Sequence, residues 1–174
     1  MPTQRRAQTL TRWKQAARKN SFNLAANGAG AFHFAIIASA FNRPLTLSLV
    51  DGARRFLERH GATAAQISVL WAPGAFELPV VAARVAGRPN HPDAIIALGV
   101  LIRGQTSQYA VIAQAVAQGL TEVSVRTGVP VSFGVIVAET LEQARARAGG
   151  KAGNRGEEAA EAAVAVLSTL RAIS

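Results

Sequence analysis

The sequence predicts a three-layer α/β sandwich, in which helices cover both faces of a parallel β-sheet. From about residue 33 of the 174-residue chain, short apolar runs alternate with longer stretches of helical periodicity. This alternation is typical of parallel strands joined by crossover helices. The short runs are continuously apolar, as expected for strands buried on both faces. No run approaches the roughly 18 apolar residues of a membrane-spanning helix, so we expect no membrane partner.

The first half of the pattern contains two strand–helix units. Residues 34–38 form an unbroken apolar run, which predicts a buried strand, and residues 45–60 follow with a proline near their start and a glycine after their end. Proline favours the first turn of a helix and glycine its end, so this segment is a predicted helix. Residues 67–71 repeat the strand pattern. Residues 77–85 place a leucine and two valines on one helical face.

The second half adds two strands and three helices. Residues 94–98 and 131–136 are the predicted strands, and residues 107–127 between them carry apolar side chains at helical spacing. A short helix is predicted over residues 141–148, and a glycine-rich loop then leads to a final helix over residues 157–170. The four strands predict one parallel sheet in a flavodoxin-like αβα sandwich. In such sheets ligands bind beyond the carboxyl ends of the strands.

The composition excludes several kinds of site. The chain has no cysteine, which rules out disulfides, thiolate nucleophiles and cysteine–metal sites. Its three histidines are scattered along the sequence without the spacing of metal ligands. We therefore expect no metal site.

The positive charge is concentrated at the amino terminus. Residues 1–31 carry six of the basic residues and no acidic one, whereas the formal net charge of the whole chain is +9. We therefore divide the chain into a basic, disordered extension over residues 1–31 and a folded domain over residues 32–174. The extension has three interpretations: a solvated tail, a transit peptide that would make a cytoplasmic protein organellar, or an anion-binding segment. Nucleic acid could bind only through this tail.

Two of the loops at the carboxyl ends of strands could contact a flat ring. Phe41 follows the first strand and could stack on a heterocycle, although an aromatic at the edge of the core is the commoner case. After the second strand, Gly74 and Ala75 allow a ligand to approach the backbone closely. Glu77 opens a helix, where a carboxylate is favoured by the helix dipole whether or not it binds a ligand.

The later loops could hold a phosphate. Gln105, Thr106 and Gln108 lead into a helix amino terminus, where free backbone N–H groups bind anions. Arg147 and Arg155 flank the glycine-rich loop and could clamp a phosphate, or could be solvated surface arginines. Neither a Walker loop nor a dinucleotide-binding glycine fingerprint is present. Together these residues indicate a site for a flat heterocycle and a phosphate-bearing partner.

Five segments, in order, resemble the lumazine synthase family, and the resemblance covers about residues 33–170. The first is similar to the Ser-Arg-Phe-Asn element of that family, and the second is close to its most distinctive segment. The segments are SAFN at 39–42, PGAFELP at 73–79, GVLIRG at 99–104, GVPVSFGV at 128–135 and RAGGKAGNRG at 147–156.

The resemblance implies a role for each site residue. Phe41 would stack on a pyrimidine, and the backbone at Leu101 and Ile102 would hold it. Four residues would line the ribityl and pyrimidine pocket, namely Asn42, Gly74, Ala75 and Glu77. Gln105, Thr106 and Arg147 would bind phosphate, while Phe133 and Arg155 would complete the pocket of a neighbouring subunit.

The resemblance also implies a reaction and an assembly. Members of the family condense 5-amino-6-(D-ribitylamino)uracil with 3,4-dihydroxy-2-butanone 4-phosphate in riboflavin biosynthesis, without a cofactor. They assemble as pentamers, often as icosahedral shells of pentamers, because the sites lie between subunits. Alignment of two reactive substrates would then be the main task of the protein.

The chain departs from the family pattern at three positions. Gln108 stands where the family usually has a histidine that is its candidate proton shuttle, and an amide cannot transfer a proton near neutral pH. Ala40 replaces an arginine and Ala110 an acidic residue. These changes leave two hypotheses for the function. The chain is either an active, if slower, lumazine synthase, or a non-catalytic shell protein that binds lumazine or flavin. A third reading, an unrelated flavodoxin-type binding module, is disfavoured by the ordered segments.

Overall fold

The strands of the central sheet run parallel in the order β2-β1-β3-β4, in the computed structural model, which describes residues 28–174. Their bounds are β1 (Phe34–Ser39), β2 (Ile67–Ala72), β3 (Ala94–Ile102) and β4 (Val131–Ala138). The central strands β1 and β3 are apolar and almost completely buried. The predicted four-stranded parallel sheet is therefore confirmed.

Helices cover both faces of this sheet. Their bounds are α1 (Arg43–Arg59), α2 (Leu78–Ala86), α3 (Gln108–Thr127), α4 (Leu141–Arg147) and α5 (Arg155–Ile173). The apolar side chains of α1 and α5 form one core cluster with one face of the sheet, and those of α2 and α3 form a second cluster with the other face. This division confirms the predicted αβα sandwich.

Several element boundaries differ from the prediction. β3 continues to Ile102, four residues beyond the predicted end, because its pairing with β4 extends to the partners Ile102 and Ala138. The glycine-rich segment forms a small antiparallel ladder, β5 (Ala148–Gly150) and β6 (Gly153–Asn154). Gly149 and Gly153 adopt positive φ angles of 99° and 85°, which favour glycine.

The final helix begins two residues earlier than predicted. The side chain of Asn154 accepts hydrogen bonds from the backbone N–H groups of Gly156 and Glu157, and so caps the first turn of α5. Arg155 is consequently the first helical residue instead of a loop residue. Its position is set by the cap and by the neighbouring ladder.

The described fold begins before the predicted domain boundary at residue 32. Ala29–Ala31 forms a single turn of 3-10 helix, Ala29 is completely buried, and the Gly30 carbonyl accepts a hydrogen bond from Gln66 Nε2. The rest of the predicted extension, residues 1–27, lies outside the described residues. Between residues 28 and 174, no helix has the length and apolarity needed to cross a membrane.

Candidate functional site

A cleft of about 290 Å³ opens at the carboxyl edge of the sheet. It lies between the turn that follows β1 and the loop that follows β3. The lining residues are Phe41, Asn42, Val100, Leu101, Ile102, Gly104, Thr106, Gln108, Tyr109 and Ile112. The structure therefore brings together six of the residues proposed from sequence: Phe41, Asn42, Leu101, Ile102, Thr106 and Gln108.

A larger cleft of about 610 Å³ lies at the opposite, amino edge of the sheet. Its lining includes His33, Arg88 and His91, none of which the sequence analysis singled out. We assign the functional site to the smaller cleft because ligands of open parallel α/β sheets bind beyond the carboxyl ends of the strands. Size alone does not decide the assignment.

The turn after β1 presents an aromatic ring to the cleft. Asn42 adopts the left-handed conformation, with φ 58° and ψ 36°, and its Nδ2 donates a hydrogen bond to the Val100 carbonyl at 2.9 Å. This bond ties the turn to β3. Phe41, immediately before it, is 70% exposed. Because this phenyl ring lines the cleft and is largely exposed to solvent, a flat heterocycle can stack on it.

The end of β3 offers free backbone groups to the cleft. β1 pairs with β3 only as far as Leu98, so β3 has no strand partner on that side beyond this point. The backbone groups of successive strand residues point to alternate sides. The Val100 carbonyl faces Asn42, and Arg103 N–H faces β4 by donating to Ala138. The N–H and C=O groups of Ile102 therefore face the cleft, whereas those of Leu101 face β4 and its side chain lines the cleft instead.

The β3–α3 loop closes the other side of the cleft. α3 begins at Gln108, whose backbone N–H donates to Thr106 Oγ1 at 3.4 Å. Thr106 and Gln108 are both exposed, and Gln105 is exposed outside the cleft lining. The first turn of a 20-residue helix carries N–H groups without intrahelical partners, and these favour an anion.

Gly74, Ala75 and Glu77 lie beside the cleft and do not line it. Ala75 is buried, and a Cβ added at Gly99 of β3 would lie 3.5 Å from its Cβ. A Cβ added at Gly74 would lie 2.8 Å from Glu77 Oε2, so glycine leaves room for this carboxylate. Glu77 lines an adjacent apolar groove with Phe76 and Val80.

Arg147 and Arg155 share a single carboxylate, that of Glu158. Arg147 and Arg155 each donate a hydrogen bond to Glu158 Oε2 at 2.9 Å, and Arg147 also donates to the Ala152 carbonyl at 2.9 Å. The three side chains are 36–40% exposed. Two guanidinium groups on one carboxylate leave a net positive charge, and solvent reaches this charge. A phosphate could therefore replace the carboxylate as the acceptor of the two arginines.

Glu158 is not among the site residues predicted from the sequence. The available signal was its spacing of three residues from Arg155 at the start of a predicted helix, a spacing that places two side chains on one face. Neither arginine lines the cleft of its own chain. Because both contact Glu158, they form one cluster.

Phe133 lies far from the cleft of its own chain. It is half-buried in the first half of β4, opposite Ala97, and five residues before the end of that strand at Ala138. At about 3.3 Å per residue this separation is roughly 16 Å. Phe133 is therefore not part of the cleft described above.

No carboxylate or basic side chain lines the cleft within residues 28–174, and the same part of the chain contains no cluster of three His, Cys, Asp or Glu side chains arranged for a metal ion. The lining can stack on a ring and can donate and accept hydrogen bonds. Charged groups that act on a ligand here therefore belong to the substrates, to neighbouring elements that carry Glu77 or the arginine cluster, or to another subunit.

Comparison with known proteins agrees with this geometry. A family model described as 6,7-dimethyl-8-ribityllumazine synthase matches residues 31–171. A curated relative from Chlorobium phaeobacteroides, named 6,7-dimethyl-8-ribityllumazine synthase, is 46% identical over 149 residues, which cover 86% of this chain and 94% of the relative. The matched region of the family model includes every residue that lines the cleft.

Proposed function

The chain belongs to the 6,7-dimethyl-8-ribityllumazine synthase family, and we propose that it catalyses the reaction for which the family is named. It condenses 5-amino-6-(D-ribitylamino)uracil with 3,4-dihydroxy-2-butanone 4-phosphate in riboflavin biosynthesis. One observation carries the proposal: the family match includes the whole cleft, where an exposed Phe41 ring and the open backbone of Ile102 occur together.

The pyrimidine binds at the β1 side of the cleft. Phe41 stacks on the ring, and the N–H and C=O groups of Ile102 pair with its polar edge. Leu101 contributes an apolar side chain. Asn42 contributes the amide oxygen that its bond to Val100 leaves free. The ribityl chain extends toward Gly74, Ala75 and Glu77, whose carboxylate accepts hydrogen bonds from sugar hydroxyls.

The sugar phosphate binds at the β3–α3 side. Its phosphate lies near Gln105 and Thr106, at the amino terminus of α3, where N–H groups and the helix dipole favour an anion. Arg147 neutralises the remaining charge. Since Arg147 and Arg155 share Glu158, the incoming phosphate takes the place of that carboxylate as their acceptor.

The complete site requires a second copy of the chain, in a homo-oligomer. Phe133 and the arginine cluster do not line the cleft of their own chain, which supports their contribution to the cleft of a neighbour. We propose a ring of five subunits in which each cleft is completed in this way, and a shell of such rings as the larger assembly. Size-exclusion chromatography with light scattering tests the number of subunits.

Both partners are reactive without a cofactor. The aromatic amine of the pyrimidine adds to the ketone of the sugar phosphate, water leaves as an imine forms, and phosphate is then eliminated. Loss of phosphate leaves an enol, which tautomerises to a new ketone, and the ribitylamino nitrogen closes the ring on this ketone with a second loss of water. The protein holds the amine against the ketone and secures the phosphate, so proximity is its main contribution to the rate.

The proposal is tested by mixing the purified chain with both substrates and following lumazine absorbance together with free phosphate. We expect one phosphate per lumazine, at a rate well above the reaction without protein. A protein that binds the pyrimidine and releases no phosphate above that background is a binding shell and not an enzyme.

We propose a cytoplasmic location for the protein, with an organelle as the alternative if the basic amino-terminal segment is a transit peptide. Imaging of fluorescent fusions with and without residues 1–19, which contain all six basic residues of the segment, distinguishes the two. The same two proteins also test binding to nucleic acid. If the basic segment makes the contacts, only the chain that contains it binds, and its affinity falls steeply as the salt concentration rises.

A further inference from the structure

Tyr109 is the one ionisable side chain that lines the cleft within residues 28–174. The other lining residues are apolar, glycine, amide or hydroxyl residues. Glu77 lines a separate apolar groove, and Arg147 is bound to Glu158 outside the cleft. Among the described residues of the same subunit, Tyr109 is therefore the one cleft-lining candidate for proton transfer by a side chain.

The hydroxyl group of Tyr109 is free to act. Tyr109 is the second residue of α3, directly after Gln108, and its side chain is half-buried. Its Oη has no hydrogen-bond partner among the described residues, and no buried side-chain oxygen or nitrogen in that part of the chain lacks a partner. An unpartnered Oη is therefore not buried, and Tyr109 is one of the residues that line the cleft.

We infer that Tyr109 is a catalytic acid in the condensation, donating the proton that turns the departing hydroxyl into water. The inference rests on the proposed function. Addition of the amine to the ketone gives a carbon that carries both nitrogen and hydroxyl. The C–O bond then breaks with its electron pair on oxygen, which takes the proton from Tyr109 Oη and leaves as water. The nitrogen lone pair forms the C=N bond, and the phenolate recovers the proton from that nitrogen.

The neighbouring groups cannot perform this step. The amide of Gln108 donates hydrogen bonds but is far too weak an acid to give up a proton near neutral pH. The hydroxyl of Thr106 is a far weaker acid than a phenol, and tyrosine is an established type of general acid in enzymes. Gln108 can instead orient the ketone, which makes it a positioning residue beside the acid.

The first test removes one oxygen atom. Tyr109→Phe should lower kcat about tenfold or more and leave both KM values nearly unchanged, because general acid catalysis is lost while the ring remains. Thr121→Val is the matched control, since it also deletes one hydroxyl from an exposed position of the same helix, about three turns from Tyr109. The control should keep the wild-type kcat.

The second test separates acid catalysis from a structural role of the hydroxyl. Tyr109→Phe is repeated in the Gln108→His background, where an imidazole supplies the proton. A catalytic Tyr109 predicts that the tenfold loss shrinks to about twofold or less. An equal loss in both backgrounds, or an unchanged kcat in Tyr109→Phe, overturns the inference while leaving an active wild type as a lumazine synthase. A wild type without turnover overturns the proposed function itself, and the inference with it.

Discussion

At the scale of single residues, Gln108 stands at a position from which a substrate can be oriented but, as an amide, it transfers no proton. It lines the cleft at the start of α3, and its amide can orient a carbonyl or an amine. We expect Gln108→His to raise kcat about ten- to a hundredfold, at the lower end of the usual gain from general acid–base catalysis because water reaches this exposed position. Both KM values should change little.

The measurement is kcat against pH for both proteins. An imidazole ordinarily titrates around pH 6–7, so the histidine variant should acquire an inflection in that range that the wild type lacks. A histidine variant that is no faster would show that residue 108 does not face the reacting atoms, or that proton transfer does not limit the rate.

Arg147 should act on one substrate more than on the other. Arg147→Ala removes a charged hydrogen-bond donor to the phosphate, a loss on the order of 1.5–3 kcal/mol. We therefore expect KM for the sugar phosphate to rise about tenfold or more while the Kd of the pyrimidine stays within twofold. Arg145→Ala is the control, since it removes the same charge from an exposed position of the same helix. Equal effects of Arg147→Ala on both substrates would contradict the assignment.

Individual site residues were easier to predict from the sequence than the contacts between them. Phe41, Thr106 and Gln108 were proposed from their positions after strands, and the fold brings them to one cleft. Glu158 was missed because its importance depends on the capped turn that places it between two arginines. Phe133 falls inside the predicted strand over residues 131–136, and its assignment to the pocket of a neighbouring subunit came from the family resemblance, because a single sequence does not show which surfaces of two subunits meet.

At the scale of elements, α5 packs against α1 so closely that only glycine fits at position 156. A Cβ added at Gly156 would lie 2.0 Å from the Leu49 carbonyl oxygen. Gly156→Ala must therefore push the two helices apart, which should lower the free energy of unfolding by about 2–3 kcal/mol.

Urea unfolding at fixed protein concentration measures this effect. Gly104→Ala is the control, because a Cβ there meets no atom within 4 Å and should change the free energy of unfolding by less than about 0.5 kcal/mol. If Gly156→Ala and Gly104→Ala lower the free energy of unfolding equally, the close contact between the two helices at Gly156 is not the cause of the loss.

Element positions followed from local pattern, while element ends often did not. All four strands and five helices lie where apolar periodicity predicts them, because burial on the sheet faces selects that periodicity. The last four residues of β3 are strand because β4 pairs with them, and this pairing is tertiary. The β5–β6 ladder depends on two glycines with positive φ, which also permit an open loop.

At the scale of the whole molecule, the chain combines a nearly balanced body with a strongly basic amino-terminal segment. Deleting residues 1–19 removes six basic residues and no acidic one, and lowers the formal net charge from +9 to +3. We expect turnover and subunit number to be unchanged, because the family match begins at residue 31 and the cleft at residue 41.

Extending the deletion through residue 31 should behave differently. It removes the completely buried Ala29 and the Gly30 carbonyl that accepts from Gln66, so the melting temperature should fall by several degrees. Thermal unfolding of the two truncated chains and the full chain makes the comparison. If deletion of residues 1–19 alone abolishes turnover, the basic segment contributes to the active site.

The central claim is that the carboxyl-edge cleft, and not the larger cleft at the amino edge, carries out the condensation. The most direct test is kcat/KM for the pyrimidine in Phe41→Ala and His91→Ala, one aromatic ring removed from each cleft. Stacking on a heterocycle is worth roughly 1–3 kcal/mol, so the account predicts a loss of about tenfold or more in Phe41→Ala and wild-type values in His91→Ala. Unchanged turnover in Phe41→Ala together with a loss in His91→Ala would contradict it.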